Sequence, residues 1–217
     1  MQNEALIDHY LLKILEANET TNLTRISSLE EARKLHIEDS LAGLQELQQA
    51  PKGLYGDLGT GGGFPGVPLA IESGRKTMLV DSVRKKMAIV ESILSDMGLN
   101  DSISTYSGRI EDLANEHPQS FTALTARALS KLSVLMELAS PLLSKNGLLI
   151  CYKANVQDEE WDHALSLQDK LGLSLFSDRT LTLSDGETLR RIICFKKIGK
   201  PKMKLPRRVG LAQKKPL

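Results

Sequence analysis

The chain has 217 residues, of which 41% are hydrophobic, 25% charged and 4% aromatic, proportions that exclude a disordered, collagen-like or disulfide-stapled protein. No apolar run reaches the roughly 20 residues of a membrane span, and Met1-Gln2-Asn3-Glu4 lacks the cationic start of a secretion signal, so a cytoplasmic protein without a membrane partner is expected. The formal charge of +1 hides an asymmetry: nine Lys and Arg residues and no acid lie between Lys196 and Leu217, leaving the remainder at −8.

An acidic body with a basic end suits a polyanionic partner, nucleic acid being the simplest. The competing reading is a solvated, fraying terminus. Cys151 and Cys194 each sit in an apolar strand-like run. Buried free thiols follow, and no metal site is expected because no ligand pairs accompany them.

In chain order, Leu6, Ile7, Tyr10, Leu11, Ile14 and Leu15 form one helical stripe. Ser28-Leu29-Glu30-Glu31 has capping-box spacing, so a second helix is predicted from there toward Leu47. After Pro51, short apolar strands at 53–58, 77–81, 102–107, 121–126 and 147–152 alternate with helical stretches at 65–73, 83–97, 109–115 and 130–144. A helix at 157–171 and strands at 174–183 and 190–197 follow, the last two joined by the turn signal Ser184-Asp185-Gly186. The expected fold is α/β and Rossmann-like: seven strands, mostly parallel, with a C-terminal antiparallel hairpin and N-terminal helices in front. Three parts are expected: a helical segment at 1–50 packing on the core, a ligand-binding domain at 51–198 and a basic tail at 199–217.

Residues 57–68, Asp-Leu-Gly-Thr-Gly-Gly-Gly-Phe-Pro-Gly-Val-Pro, carry the strongest chemical signal: a strand end, a backbone free of Cβ atoms, then a helix N-terminus. Two registers fit. Gly61, Gly63 and Gly66, with Asp81 twenty residues after the first, satisfy the G-x-G-x-x-G of a dinucleotide site. Gly59, Gly61 and Gly63, preceded by Asp57, satisfy the tighter G-x-G-x-G of S-adenosylmethionine enzymes. The second is favoured because a carboxylate at the strand end suits an ammonium and a sulfonium, and suits a pyrophosphate poorly. Asp81, closing the next strand, would accept from both ribose hydroxyls; its alternative role is to cap the following helix. Arg84, Lys85 and Lys86 oppose that helix's dipole, a broken local rule consistent with phosphate contact. Gly108-Arg109-Ile110-Glu111-Asp112 occupies the loop that flanks an adenine in such sheets, although Glu111 could equally cap a short helix.

Asn22-Leu23-Thr24, His36-Ile37-Glu38-Asp39-Ser40, the Asp57–Pro68 loop, Asp81-Ser82 with Lys85-Lys86, Ala126-Arg127-Ala128, and Pro206-Arg207-Arg208 with Lys214 and Pro216-Leu217 follow one another along nearly the whole chain. In that order they resemble the signatures of the bacterial RsmG (GidB) family, guanine-N7 methyltransferases of 16S ribosomal RNA. The resemblance implies a class I S-adenosylmethionine-dependent methyltransferase acting on the small ribosomal subunit at a guanine of the 527 type in the 530 loop. It also implies donor-binding roles for Gly59, Phe64, Ile110, Glu111 and Arg127. The chain departs from the family pattern at Ala17, Ala126 and Ala212.

Guanine N7 has an exposed lone pair, so its methylation needs positioning and electrostatics but no general base. The sequence lacks both an Asn/Asp-Pro-Pro-aromatic motif for an exocyclic amine and a Pro-Cys nucleophile. Arg127 ends the fourth strand, where parallel sheets place ligands, and could meet the donor carboxylate, a base edge or phosphate. His36, Asp39 and Ser40 share a helix face; they either roof the donor pocket and order the target nucleotide or form a plain surface hydrogen bond. With Arg127, His36 and Asp39 are the catalytic candidates. Lys153, Arg207, Arg208, Lys214 and Lys215 are the candidates for RNA contact, and the protein is expected to be a monomer. Two other functions remain open: a nicotinamide-dependent oxidoreductase using the overlapping glycine register, and a non-catalytic RNA-binding module.

Overall fold

A computed structural model describes residues 2–21, 23, 24, 26 and 28–217. Asn22 lies outside the described residues. The seven strands are β1 Leu54–Leu58, β2 Thr77–Asp81, β3 Ile103–Ser107, β4 Phe121–Arg127, β5 Leu143–Lys153, β6 Leu173–Thr182 and β7 Leu189–Lys197. They form one sheet in the order β3-β2-β1-β4-β5-β7-β6. Strands β1 to β5 pair in parallel, and β7 runs antiparallel to both β5 and β6, as the alternation and the terminal hairpin predicted.

Side chains alternate across the sheet. Val80, Leu124, Leu149, Cys151, Ile193 and Phe195 enter a core with the helices α7 Ile110–Glu116, α8 Leu132–Ala139, α9 Asp158–Ser166 and α10 Gln168–Leu171. The opposite face sends Leu79 toward α1 Gln2–Thr21, α5 Gly66–Ser73 and α6 Arg84–Asp96. On that same face Tyr55, Ile150, Tyr152 and Ile192 meet α4 Leu44–Gln49. Both faces are thus covered, which is why the strand sequences read as continuous apolar runs. Cys151 and Cys194 are free and buried in neighbouring strands.

Four elements differ from the sequence reading. The helix expected from 28 to 47 is capped by Ser28 as predicted, its Oγ accepting from the Glu31 N–H. It then breaks into α2 Leu29–Ala32, a π-helical turn Arg33–Glu38, α3 Asp39–Leu41 and α4. The break falls at Gly43, where a Cβ would lie 2.2 Å from the Tyr152 hydroxyl; the approach of a distant tyrosine sets the boundary. The helix expected at 130–144 stops at Ala139, and β5 begins at Leu143 with its register to β4 shifted ahead of Leu148. Asn146 there adopts φ 66°. The helix at 157–171 is divided at Leu167. The tail folds back on the body, forming the short α11 Leu211–Lys214 with Ala212 buried against Val134 and Leu138 of α8.

Candidate active site

The carboxyl ends of β1, β2 and β4 meet at the glycine loop. Gly59, Gly61 and Gly63 all have left-handed φ values of 72°, 59° and 86°, conformations that only glycine adopts cheaply. The Gly59 and Thr60 N–H groups donate to the Val80 carbonyl at 2.8 and 3.0 Å, pinning the loop to β2. On its inner side the Tyr10 hydroxyl donates to the Gly62 carbonyl at 3.0 Å, and a Cβ on Gly63 would sit 2.1 Å from that hydroxyl oxygen. A Cβ on Gly61 would meet nothing within 4 Å, so this glycine faces the open side of the loop.

Asp57 is fully buried and turned inward. Its Oδ2 accepts from the Gly66 N–H at 2.9 Å and its Oδ1 from the Thr125 hydroxyl at 2.7 Å. Burial pushes its pKa up against these hydrogen bonds and Arg127. The expectation that this carboxylate faces a ligand directly is therefore corrected: it fastens the loop to α5 and β4.

Asp81 links the glycine loop to the turn that leads into α6. Its oxygens accept from the Gly61 N–H at 3.0 Å and the Val83 N–H at 2.9 Å, and it lines a crevice of about 140 Å³. Gly59, Ile110 and Glu111 line the same crevice, as do Gly210 and Gln213 from the tail. The largely buried Glu111 accepts from the Gly210 N–H at 2.7 Å. The Arg207 that precedes it makes two hydrogen bonds to the buried Glu137, at 2.7 and 2.6 Å, and donates a third to the Lys215 carbonyl at 2.9 Å. Arg207 is thus committed to holding the tail, whereas Arg208, Lys214 and Lys215 are exposed. The basic tail, expected as a separate part at 199–217, forms part of the crevice wall.

A second cavity of about 680 Å³ adjoins the first, and Ala128 lines both. Ala128 has φ 53°, a strained value for a residue with a Cβ and one that recurs at functional sites. Into this cavity come His36, Asp39, Arg127, Lys153 and Arg190. Asp39 is 3% exposed and lies between two guanidinium groups, accepting from Arg127 Nη1 at 2.8 Å and Arg190 Nε at 2.7 Å. Arg127 also donates to the Leu35 carbonyl at 3.0 Å. Lys153 pairs with Glu160 at 2.7 Å and donates to the Ser130 carbonyl at 3.2 Å, so its ammonium is held by the protein.

His36 stacks on Phe64, ring centroids 4.5 Å apart and planes 9° from parallel. Its Nε2 is 2.8 Å from the Thr24 hydroxyl, while Nδ1 is buried and has no hydrogen-bond partner among the described residues. Burial first, and then Arg127, lower its pKa to about 4, so the ring is neutral at physiological pH. Ser40 donates back to the His36 carbonyl and stays within its own helix. The structure thus brings His36, Asp39, Phe64 and Arg127 together and leaves Arg208, Lys214 and Lys215 outside. Arg190, Gly210, Gln213 and Tyr10 were missed. Tyr10 was legible only as one position of an apolar stripe, and the other three carried no local signal.

A seven-stranded sheet in this order, with its last strand reversed and a glycine loop after β1, is the class I methyltransferase fold. A geranyl diphosphate C-methyltransferase from Streptomyces coelicolor A3(2), solved with S-adenosyl-L-homocysteine, superposes with a TM-score of 0.57 at 13% identity, covering 72% of this chain and 78% of that one. Such a likeness establishes the fold and leaves the reaction open. The family model for rRNA small subunit methyltransferase G, GidB, matches residues 2–178. Ribosomal RNA small subunit methyltransferase G of Trichormus variabilis is 36% identical over 214 residues, covering 94% of this chain and 86% of its own length. The protein of the same name from Limosilactobacillus reuteri is 35% identical over 226 residues, covering 100% and 91%. The chain belongs to the rRNA small subunit methyltransferase G family.

Among the described residues no helix is long and apolar enough to cross a membrane, and no cluster of three His, Cys, Asp or Glu side chains could hold a metal ion.

Proposed function

We propose that this protein transfers a methyl group from S-adenosylmethionine to N7 of a guanine in 16S ribosomal RNA, the guanine-527 site of the small subunit, acting as a cytoplasmic monomer. The observation that carries the reading is the pair of cavities meeting at Ala128: a narrow crevice bounded by Asp81 and Glu111, and a roomier one bounded by His36, Asp39 and Arg127.

The crevice offers groups suited to the adenosine end of the donor. The open side of Gly61 leaves room for a ligand against bare main chain. The Asp81 carboxylate is positioned for ribose hydroxyls, and Ile110 with Glu111 for the adenine edge. Gly210 and Gln213 close the far side. Asp57 acts through the loop it fastens. S-adenosylmethionine would supply an electrophilic methyl.

The chain's own residues have only to hold N7 in line with that methyl, because N7 presents its lone pair without losing a proton. The second cavity suits this task. His36 is stacked on Phe64 and, with its pKa lowered to about 4, is a weak base, and Asp39 is saturated by two guanidiniums, so neither is poised to remove a proton. Arg127 reaches from β4 into the roomier cavity and is the candidate for contact with the donor carboxylate or the base edge.

The test is transfer of labelled methyl to small-subunit RNA offered naked, in assembly intermediates and in mature subunits, followed by strand scission at 7-methylguanine. Label on a guanine N7 supports the reading. Label on another atom, or tight NADH binding with no affinity for S-adenosylmethionine, overturns it.

A further inference from the structure

Most of the polar side chains that line the roomier cavity are already committed within the protein. Asp39 accepts from two guanidiniums, the Tyr152 hydroxyl donates to the Ser40 carbonyl at 2.6 Å, and Lys153 is held by Glu160 and the Ser130 carbonyl. His36 turns Nε2 toward Thr24, and its Nδ1 is closed off from solvent. Arg127 spends only Nη1, on Asp39 and the Leu35 carbonyl. A guanidinium has five N–H donors, so those on Nη2 and Nε remain. Among the described residues, the side chains of Ser130 and Asn155 in this lining make no hydrogen bond. A hydroxyl donates and accepts through one atom and discriminates little between bases, whereas an amide presents a separate donor and acceptor. Asn155 is exposed and stands two residues beyond the end of β5.

The order of these groups along the sheet matches the order of atoms along one side of guanine. The crevice lies beside β1 and β2, Arg127 ends β4, and Asn155 follows β5, neighbouring strands being about 4.8 Å apart. On guanine, O6 lies between N7 and N1. With N7 turned toward the crevice at Ala128, O6 falls to the Arg127 guanidinium and N1 to the loop after β5. We propose that Asn155 is a specificity-determining residue for the target base, its Oδ1 accepting from N1–H while Arg127 donates to O6. Adenine carries an amino group where guanine has O6, so it would set donor against donor. The inference rests on the reading that a guanine N7 accepts the methyl group, and adds which edge of that base is read.

Methyl transfer to small subunits reassembled with guanine, hypoxanthine or adenine at the target position, read as kcat/KM, tests it. Asn155→Leu removes one hydrogen bond and should lower kcat/KM on guanine about five- to tenfold. Asn155→Asp still accepts and should keep most of the wild-type value. Both variants should retain wild-type affinity for S-adenosylhomocysteine and the wild-type melting temperature, because the side chain is exposed. Hypoxanthine keeps O6 and N1–H and lacks the 2-amino group, so the wild type should use it within about threefold of guanine. Adenine should react at least about a hundredfold more slowly, as expected where a site built to hydrogen-bond one base meets another. An unchanged rate in Asn155→Leu, an equal loss in Asn155→Asp, poor transfer to hypoxanthine, or ready transfer to adenine overturns the assignment. So does a loss in Asn155→Leu matched by falls in donor affinity and melting temperature. If the wild type labels no guanine in these particles, the proposed function fails and this assignment with it.

Discussion

Replacing Arg207 with alanine should loosen donor binding through the tail. Glu137 is 3% exposed and Arg207 supplies both of its side-chain partners. Left in place, the naked carboxylate would cost about 3–5 kcal/mol, the usual penalty for removing one half of a buried pair. The chain can relieve it by lifting residues 207–215 so that water reaches Glu137. Lifting forfeits the Gly210-to-Glu111 hydrogen bond, worth about 1.5–3 kcal/mol for a charged acceptor, and the burial of Ala212, worth roughly 1 kcal/mol. The two costs nearly match, so docked and lifted tails should coexist in Arg207→Ala. If between half and a tenth of molecules keep the crevice intact, the apparent Kd for S-adenosylhomocysteine rises about two- to tenfold. Calorimetric titration reads the affinity and hydrogen exchange over 207–215 reads the lifting. The double variant Arg207→Leu, Glu137→Leu leaves no stranded charge and should regain most of the affinity. Faster exchange in the tail with unchanged affinity would refute the reasoning, because Gly210 and Gln213 would then be irrelevant to the ligand.

Asp57→Asn should lower donor affinity about tenfold and reduce the melting temperature, since an amide cannot accept from both the Gly66 N–H and the Thr125 hydroxyl with equivalent geometry; an unaltered titration would contradict its role in fastening the loop. The folded-state pKa of His36, about 4, lies below its ordinary 6.5, so the unfolded chain takes up the proton first. Its contribution is present above pH 6.5 and is lost as the pH falls toward 4, by up to about 3 kcal/mol. Denaturation curves of wild type and His36→Gln should therefore converge on acidification, and parallel curves would count against it. His36→Ala should reduce methyl transfer much more than melting temperature; equal losses would reduce the residue to packing. Cys151 and Cys194 are buried, and their thiol pKa values are pushed up by desolvation, to about 12 for Cys151, so a thiol reagent should label them only as fast as the protein unfolds.

What the sequence disclosed and what it hid divide along chain separation. The strands were legible because β1, β2 and β4 are buried on both faces and spell themselves as short apolar runs. The loop was legible because three left-handed glycines in alternation have few other uses. The break at Gly43 was not, because its cause is Tyr152 more than a hundred residues later. Arg190 looked like any charge in a hairpin until the antiparallel pairing of β7 with β5 carried it beside Asp39. Asp57 was identified as important for a reason that the fold corrects: pattern alone does not say whether a strand-end carboxylate points toward a ligand or back toward its own loop. The tail misled because nine positive charges suggest solvent, whereas Arg207 and Ala212 are spent on docking.

The contact between Tyr10 and the Gly62–Gly63 backbone has a bearing on how this sequence can drift. With a hydroxyl oxygen 2.1 Å from where a side chain would begin, position 63 is closed to every residue but glycine for as long as position 10 keeps its phenol. A lineage that trims Tyr10 to a smaller residue removes the steric half of that restriction, and the positive φ remains. Glycine at position 63 is thus held by two independent locks, the φ of 86° and the phenol of the first helix, and release of one leaves the other closed.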